Sequence, residues 1–321
     1  MPCLSREDFL ARLLAAERPG AETILAFYDS TADAICRDGR CCFIPLSDHL
    51  CHRGDALFES VSVREGIVYA LDGHMDRLRK GAESFMRLQP PCSWEDLRRH
   101  VLEVAQAAGE PDFGLRIFLG RGAGGFGISP AECPRSSLYI VAVREHAADP
   151  LLFERGVTAF ASRVPPKQAY LATVKNTNYL PNVLMAREAA ERGMDVAVTF
   201  HEDGTMGEAA VANIGIVSAQ GELVCPPTDR ILAGTSMLCA LEVARARMPV
   251  RQSDVTRDDI ACAREMLLFA SSKLCIGIVR FEDRVFGDGT PGPAARWLRQ
   301  AMREAMIRTG VRVGAAGAAG R

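Results

Sequence analysis

The chain has 321 residues, 48% of them hydrophobic and 24% charged, which is enough apolar material for one large or two ordinary globular domains. Its 38 Lys and Arg nearly balance 40 Asp and Glu, a formal net charge of -2 that leaves no basic field for nucleic acid and no acidic tail. No apolar run reaches the roughly 20 residues of a membrane span, and MPCLSREDFL lacks the apolar core of a secretory signal, so a cytoplasmic protein is expected.

In chain order, residues 6–17 read as an amphipathic helix ended by Pro19-Gly20, and 23–30 as a strand. A turn at 38–40 is expected to lead a hairpin into CCFIPL. Residues 54–72 read as a second hairpin turning at Glu65-Gly66, with Asp72 placed to cap a helix over 74–88. A helix over 94–108, closed by Gly109, precedes strands at 114–122 and 137–145 around the loop GAGGFGISP. The stretch 146–156 has little periodicity and reads as a linker. Beyond it come a strand at 157–164, a helical run after Tyr179, a strand turning at Asp203-Gly204, and a strand–turn–strand over 213–227. A helix from Gly234 to Met248, strands at 266–272 and 275–286, and a helix over 293–306 complete the pattern. The expected fold class is α+β in two domains, 1–148 (the smaller) and 149–312, with a disordered tail at 313–321.

Only four lysines occur, Lys80, Lys167, Lys175 and Lys273, and a guanidinium cannot substitute for an amine in covalent chemistry. Lys175, in VKNTNYLPN at a strand-to-helix transition, suits partial burial, which frees an amine by lowering its pKa. Glu208 lies after a turn and before the apolar strand NIGIV. An amine able to form a Schiff base, and a carboxylate able to pair with a pyridine nitrogen, are the two groups pyridoxal phosphate chemistry requires. Taken singly, a solvated loop lysine and a surface glutamate explain the two residues as well. Thr235 and Ser236 follow Gly234 at a helix start, where free N–H groups and the helix dipole favour an anion; an ordinary N-cap gives the same pattern. Ser272 belongs to a second hydroxyl pair at a strand end, and Arg77 lies on a helix among Asp72, Asp76, Arg79 and Lys80, where a solvated face is the simpler reading.

Other chemistries lack their signatures. The glycine-rich loop lies between two strands with no helix opening at its end, which excludes a dinucleotide fingerprint. Walker A, G-x-S-x-G and H-E-x-x-H patterns are missing. The eleven cysteines form no C-x-x-C pair and read as small hydrophobes, with no metal site expected.

The order of these segments is more specific than any one of them. GDALFES, YALDGHMDRL, VKNTNYLPNVLMAREA, DGTMGEAAVANIGIV, ILAGTS and ASSKLCIGIV together resemble the class IV aminotransferases, the fold-type IV pyridoxal phosphate enzymes, over residues 40–308. That group spans branched-chain and D-amino-acid aminotransferases and aminodeoxychorismate lyases. The resemblance implies a two-domain fold with pyridoxal 5'-phosphate between the domains and a homodimeric assembly. It makes Lys175 the Schiff-base lysine and proton shuttle, pairs Glu208 with the pyridinium nitrogen and assigns Arg77 to the phosphate. Thr235 and Ser236 stand at the family's phosphate-binding pair, Ser272 at a further phosphate-side hydroxyl, and Tyr179 at the tyrosine that bonds the cofactor's ring oxygen. Asn213 follows at the usual interval in a structural role.

The substrate side departs from the named activities. Phe58 stands where D-alanine-type enzymes carry a tyrosine, Ser62 where some branched-chain enzymes carry an arginine, and Arg53 where they carry a tyrosine. Arg53, Arg116 and Arg121 are candidate carboxylate binders. The implied reaction is transamination between a branched-chain or D-amino acid and a 2-oxo acid. The alternatives are aminodeoxychorismate lyase chemistry with release of pyruvate, and a non-catalytic binding protein retaining the fold.

Overall fold

The computed structural model describes residues 1–145 and 149–314. The start of the expected linker (146–148) and most of the expected tail (315–321) lie outside them. The chain divides into two compact units: Met1–Val68 with Ala82–Glu145 and 312–314, and Tyr69–Gly81 with 149–311. The short segment Tyr69–Gly81 therefore belongs with the second unit, although first-unit residues flank it in sequence.

In the first unit, strands β1 (Ile24–Asp29), β2 (Ala34–Cys36), β3 (Ala56–Arg64), β4 (Ile67–Val68), β5 (Phe113–Gly120) and β6 (Ser137–Val143) pair in the order β4-β3-β5-β6-β1-β2. The β3–β5 register opposes Phe58 to Phe118 and Ser60 to Arg116, so these four residues share one face of the sheet. The helix Trp94–Ala108 lies against β1 and β6 and buries Leu97, Val101, Val104, Ala105 and Ala108, a stripe at helical spacing. Ser93 caps its start and Gly109, at φ 70, ends it. The turn at Glu65-Gly66 forms as expected, with both residues at positive φ (54 and 70) as a tight hairpin of the right twist requires.

Three local expectations are corrected. The first hairpin turns before Ala34, with Asp33 at φ 47; residues 39–41 form a single 3-10 turn held by Asp38, and CCFIPL pairs with no strand among the described residues. The next helix starts at Leu71, so Asp72 lies in its first turn instead of capping it, and after Lys80 it loosens into a π-turn over Gly81–Met86. The strand beginning near 275 ends at Phe281, where Glu282 at φ 52 turns the chain back through Arg284–Val285.

The second unit is built on β7 (Val157–Ala161), β8 (Val196–Phe200), β9 (Met206–Ala209), β10 (Asn213–Val217), β11 (Leu223–Cys225), β12 (Val250–Gln252), β13 (Glu265–Ala270), β14 (Leu274–Phe281) and β15 (Arg284–Val285). The order is β12-β11-β10-β13-β14-β7-β8-β9, with β15 on β14; the parallel β14–β7, β7–β8 and β11–β12 pairs sit among antiparallel ones. Its core gathers Val157, Val198, Ile214, Ile216, Met266, Leu268, Ile276 and Ile278, all buried. The helices Thr235–Ala244 and Pro293–Thr309 pack on each other and on β13 and β14. Buried Glu265 serves the second of these helices as a cap, its two oxygens accepting from the N–H groups of Ala294 (2.9 Å) and Ala295 (3.0 Å). β10 and β13 pair Asn213 with Phe269, which sets Ser272, three residues on, beyond the same end of the sheet as Asn213.

Candidate active site

The segment Leu232–Ser236 is the hub of the second unit's polar constellation. The Leu232 N–H donates to Glu208 Oε2 (3.2 Å), and the Leu232 carbonyl accepts from Asn213 Nδ2 (2.8 Å). The Ala233 carbonyl accepts from Arg77 (3.0 Å), and Thr235 Oγ1 lies 3.3 Å from His74 Nε2. His74 is buried, and its Nδ1 is 3.5 Å from an Arg77 nitrogen, one helical turn away on the same face. Gly234 fits only because it has no side chain: a Cβ there would come within 1.9 Å of Asn213 Oδ1.

Gly234 has no side chain to cap the helix Thr235–Ala244, so the first N–H groups of this ten-residue helix point out of its N-terminus. Ser236, only 3% exposed, keeps its Oγ there without a partner. A buried hydroxyl left unpaired costs stability, so a site holding one is shaped for an acceptor from outside the chain. With Arg77 anchored to the neighbouring carbonyl, the arrangement is chemically fitted to a phosphate dianion.

Lys175 follows the short helix Ala169–Ala172 and precedes the helix Leu180–Arg192. Buried Asn176 shapes this turn: its Nδ2 donates to the carbonyls of Leu171 (3.1 Å) and Val174 (3.2 Å), and its Oδ1 accepts from the Asn178 N–H (3.0 Å). Lys175 Nζ donates to Tyr179 Oη at 3.2 Å, and Lys167 Nζ stands 4.3 Å from the centre of the Tyr179 ring.

Glu208 is carried by β9, whose backbone is pinned on both sides by Thr199 Oγ1 (2.9 and 3.2 Å). The Asp203-Gly204 turn ahead of it closes through Thr205 onto Asp203 Oδ1 (3.0 Å), with Gly204 at φ 82. Burial raises the Glu208 carboxyl above the ordinary carboxylate range, against the opposing Leu232 N–H and the charges of Lys167, Lys175 and Arg77. One half-buried acid thus sits in the field of three cations. The structure brings Arg77, Lys175, Tyr179, Glu208, Thr235 and Ser236 into one constellation, while Ser272 is exposed in the turn between β13 and β14.

The first-unit candidates all have internal partners. Arg116 and Arg64 grip Glu145 from both sides (2.8 and 2.9 Å); burial pushes that carboxyl up, but the two guanidiniums outweigh it and hold it below its ordinary value. Arg121 makes a two-point pair with Asp55 (2.9 and 3.1 Å). Arg53 is exposed and, among the described residues, donates only to carbonyls, those of Gly127 (2.9 Å), His52 (3.0 Å) and Phe126. Phe58 stacks on Phe118 with centroids 6.0 Å apart.

Two members of the constellation, His74 and Lys167, are not singled out by the sequence. His74 carries a usable signal, since it lies three residues before Arg77 on a helix. Lys167 carries none beyond being one of four lysines, because the loop holding it follows Pro165-Pro166 without periodicity.

The family description of class IV amino-transferases matches residues 56–281. The chain is 32% identical over 314 residues to a chloroplastic D-amino-acid transaminase of Arabidopsis thaliana, covering 95% of this chain and 82% of that one. It is 27% identical over 274 residues to a putative branched-chain-amino-acid aminotransferase of Methanocaldococcus jannaschii, covering 84% and 93%. In fold it matches the branched-chain aminotransferase of the archaeon Thermoproteus uzoniensis solved with norvaline, at TM-score 0.79 and 22% identity over 88% of this chain and 95% of that chain. With seven-tenths of its length inside the family description, and a sheet arrangement of the fold-type IV kind, the chain belongs to the class IV aminotransferases.

Proposed function

We propose that the protein moves an amino group between an amino acid, branched-chain or of the D series, and a 2-oxo acid, using pyridoxal 5'-phosphate bound at the Lys175 constellation. The observation that carries this reading is the convergence on Leu232–Ser236 of a half-buried acid, an anchored arginine and an uncapped helix N-terminus, with the Lys175–Tyr179 pair in the same electrostatic field. When bound, the cofactor supplies a carbonyl that exchanges between amines and a ring that takes up electrons from the substrate Cα. Arg77, the Thr235 and Ser236 N–H groups and the Ser236 hydroxyl would hold its phosphate, and Ser272, exposed in the β13–β14 turn, would offer a further hydroxyl. Glu208 would pair with the ring nitrogen and keep a proton there. Lys175 would provide the amine that holds the cofactor, and the same amine would serve to move the proton at the substrate Cα. Tyr179, hydrogen-bonded to Lys175 Nζ, orients that amine, and its phenol would donate to the ring oxygen.

The arginines differ in what a substrate carboxylate would displace. At Arg116 it competes with Glu145 and at Arg121 with Asp55, both carboxylates, whereas at Arg53 it competes only with neutral carbonyls. Charge-assisted bonds are roughly twice as strong as neutral ones, so Arg53 is the best of the three for holding substrate. Arg53→Ala is expected to raise KM about tenfold with kcat little changed, and Arg121→Ala to act mainly through stability.

The functional test is an amino-donor panel with both enantiomers, run against pyruvate and 2-oxoglutarate with cofactor present. New amino acid formed from branched-chain or D-donors supports the proposal. Pyruvate released from aminodeoxychorismate without amino transfer points to the lyase reading, and no turnover of either kind to the binding-protein reading.

A further inference from the structure

Lys167 has no role in the scheme above, yet it stands among the groups that do. Its ammonium lies 4.3 Å from the centre of the Tyr179 ring, within cation–π range. Lys175 Nζ is 5.6 Å from the same centre and donates to the phenol oxygen, so two amines share one tyrosine. Lys167 and Glu208 also line one small pocket of the second unit.

We propose that Lys167 is a positioning residue of the cofactor site: seated on Tyr179 and beside Glu208, it keeps the Glu208 side chain ionised and fixes Tyr179 against Lys175. The inference rests on the reading of Lys175 and Glu208 given above. Burial disfavours both charges, lowering the Lys167 pKa and raising that of Glu208, and each is opposed by the other's field. The remaining charged groups facing Glu208 have other work. Arg77 is tied to the Ala233 carbonyl and the phosphate site, and Lys175 is the amine the chemistry consumes. Arg230, which lines the same pocket, is held by Asp203 (2.7 Å) and Thr205 (3.0 Å). Lys167 is the cation left to support the acid throughout turnover.

The consequence is spectroscopic as well as kinetic. A cation near the cofactor disfavours the proton at the lysine–cofactor linkage, so its loss moves the pH titration of the bound cofactor's visible absorbance to the alkaline side. Loss of support for an ionised Glu208, and so for a protonated ring nitrogen, acts in the same direction. The test is that titration on the holoproteins of wild type, K167M, K167R and K175A, each checked by thermal melting. The expected result is an alkaline shift of about one pH unit, tenfold in proton affinity, in K167M. K167R stays near wild type, because a guanidinium also sits well on an aromatic face. Should K167M not fold, K167Q is titrated in its place with the same expectation. An unmoved midpoint, or K167R shifted like K167M, overturns the role of Lys167 while leaving Lys175 intact. A titrating visible band that survives in K175A overturns the reading beneath it.

Discussion

Ser236 separates ligand binding from stability within one residue. Its Oγ is buried without a partner, so Ser236→Ala removes no internal hydrogen bond and relieves an unpaired polar atom. The apoprotein should melt at or above the wild-type temperature while the cofactor dissociation constant rises about tenfold, the worth of a hydrogen bond to a charged group. Equal cofactor affinity in equilibrium dialysis would remove Ser236 from the site. Glu208 separates the same two properties through pH. Because burial raises its folded-state pKa, the folded apoprotein holds a proton more tightly than the unfolded chain. The stability this contributes is fully present below the unfolded carboxyl pKa, about 4.3, and is lost as pH rises through the folded value. Glu208→Gln should flatten that slope, leaving the apoprotein at neutral pH at least as stable as wild type, while turnover falls ~10²-fold or more. Thermal melts of both apoproteins across pH check the first half; a neutral-pH melting temperature well below wild type would contradict it.

At the scale of elements, the approach of β10 to the N-terminus of the Thr235–Ala244 helix sets the site's shape. Asn213, the first residue of β10, holds the Leu232 carbonyl while its Oδ1 occupies the space a Cβ at 234 would need. Gly234→Ala should therefore cost about 1–3 kcal/mol by overpacking and weaken cofactor binding together with stability, unlike Ser236→Ala. Combined with Asn213→Ala the losses should be less than additive, because the two residues contest one space; strict additivity in denaturant melts would refute the contact. The elements that were legible in the sequence are those whose ends are set locally. Ser93 and Gly109 bracket the Trp94–Ala108 helix, and Glu65-Gly66 makes the β3–β4 turn. The misread ones depend on partners distant in sequence. CCFIPL has strand-like composition but finds no strand to pair with, and Asp72 has the chemistry of a cap on a helix that begins one residue earlier.

For the whole molecule, the candidate site residues were legible because their order along the chain, from Arg77 through Lys175 and Glu208 to Thr235-Ser236, is the order the resemblance to class IV aminotransferases implies. The sequence could not reveal what joins them. His74 and Lys167 reach the constellation through chain closure, by contacts to Thr235 at 161 residues' separation and to the Tyr179 ring from a loop without periodicity. The carboxylate partners of Arg116 and Arg121, Glu145 and Asp55, are likewise tertiary, and they change which arginine is open to a ligand. Two lysines flank one tyrosine and are given different work, so the attachment point of the cofactor is the most direct test. Holoprotein reduced with borohydride, digested and mapped by mass spectrometry should carry the phosphopyridoxyl label on Lys175. A label on Lys167, or no covalent label at all, would contradict that division of work.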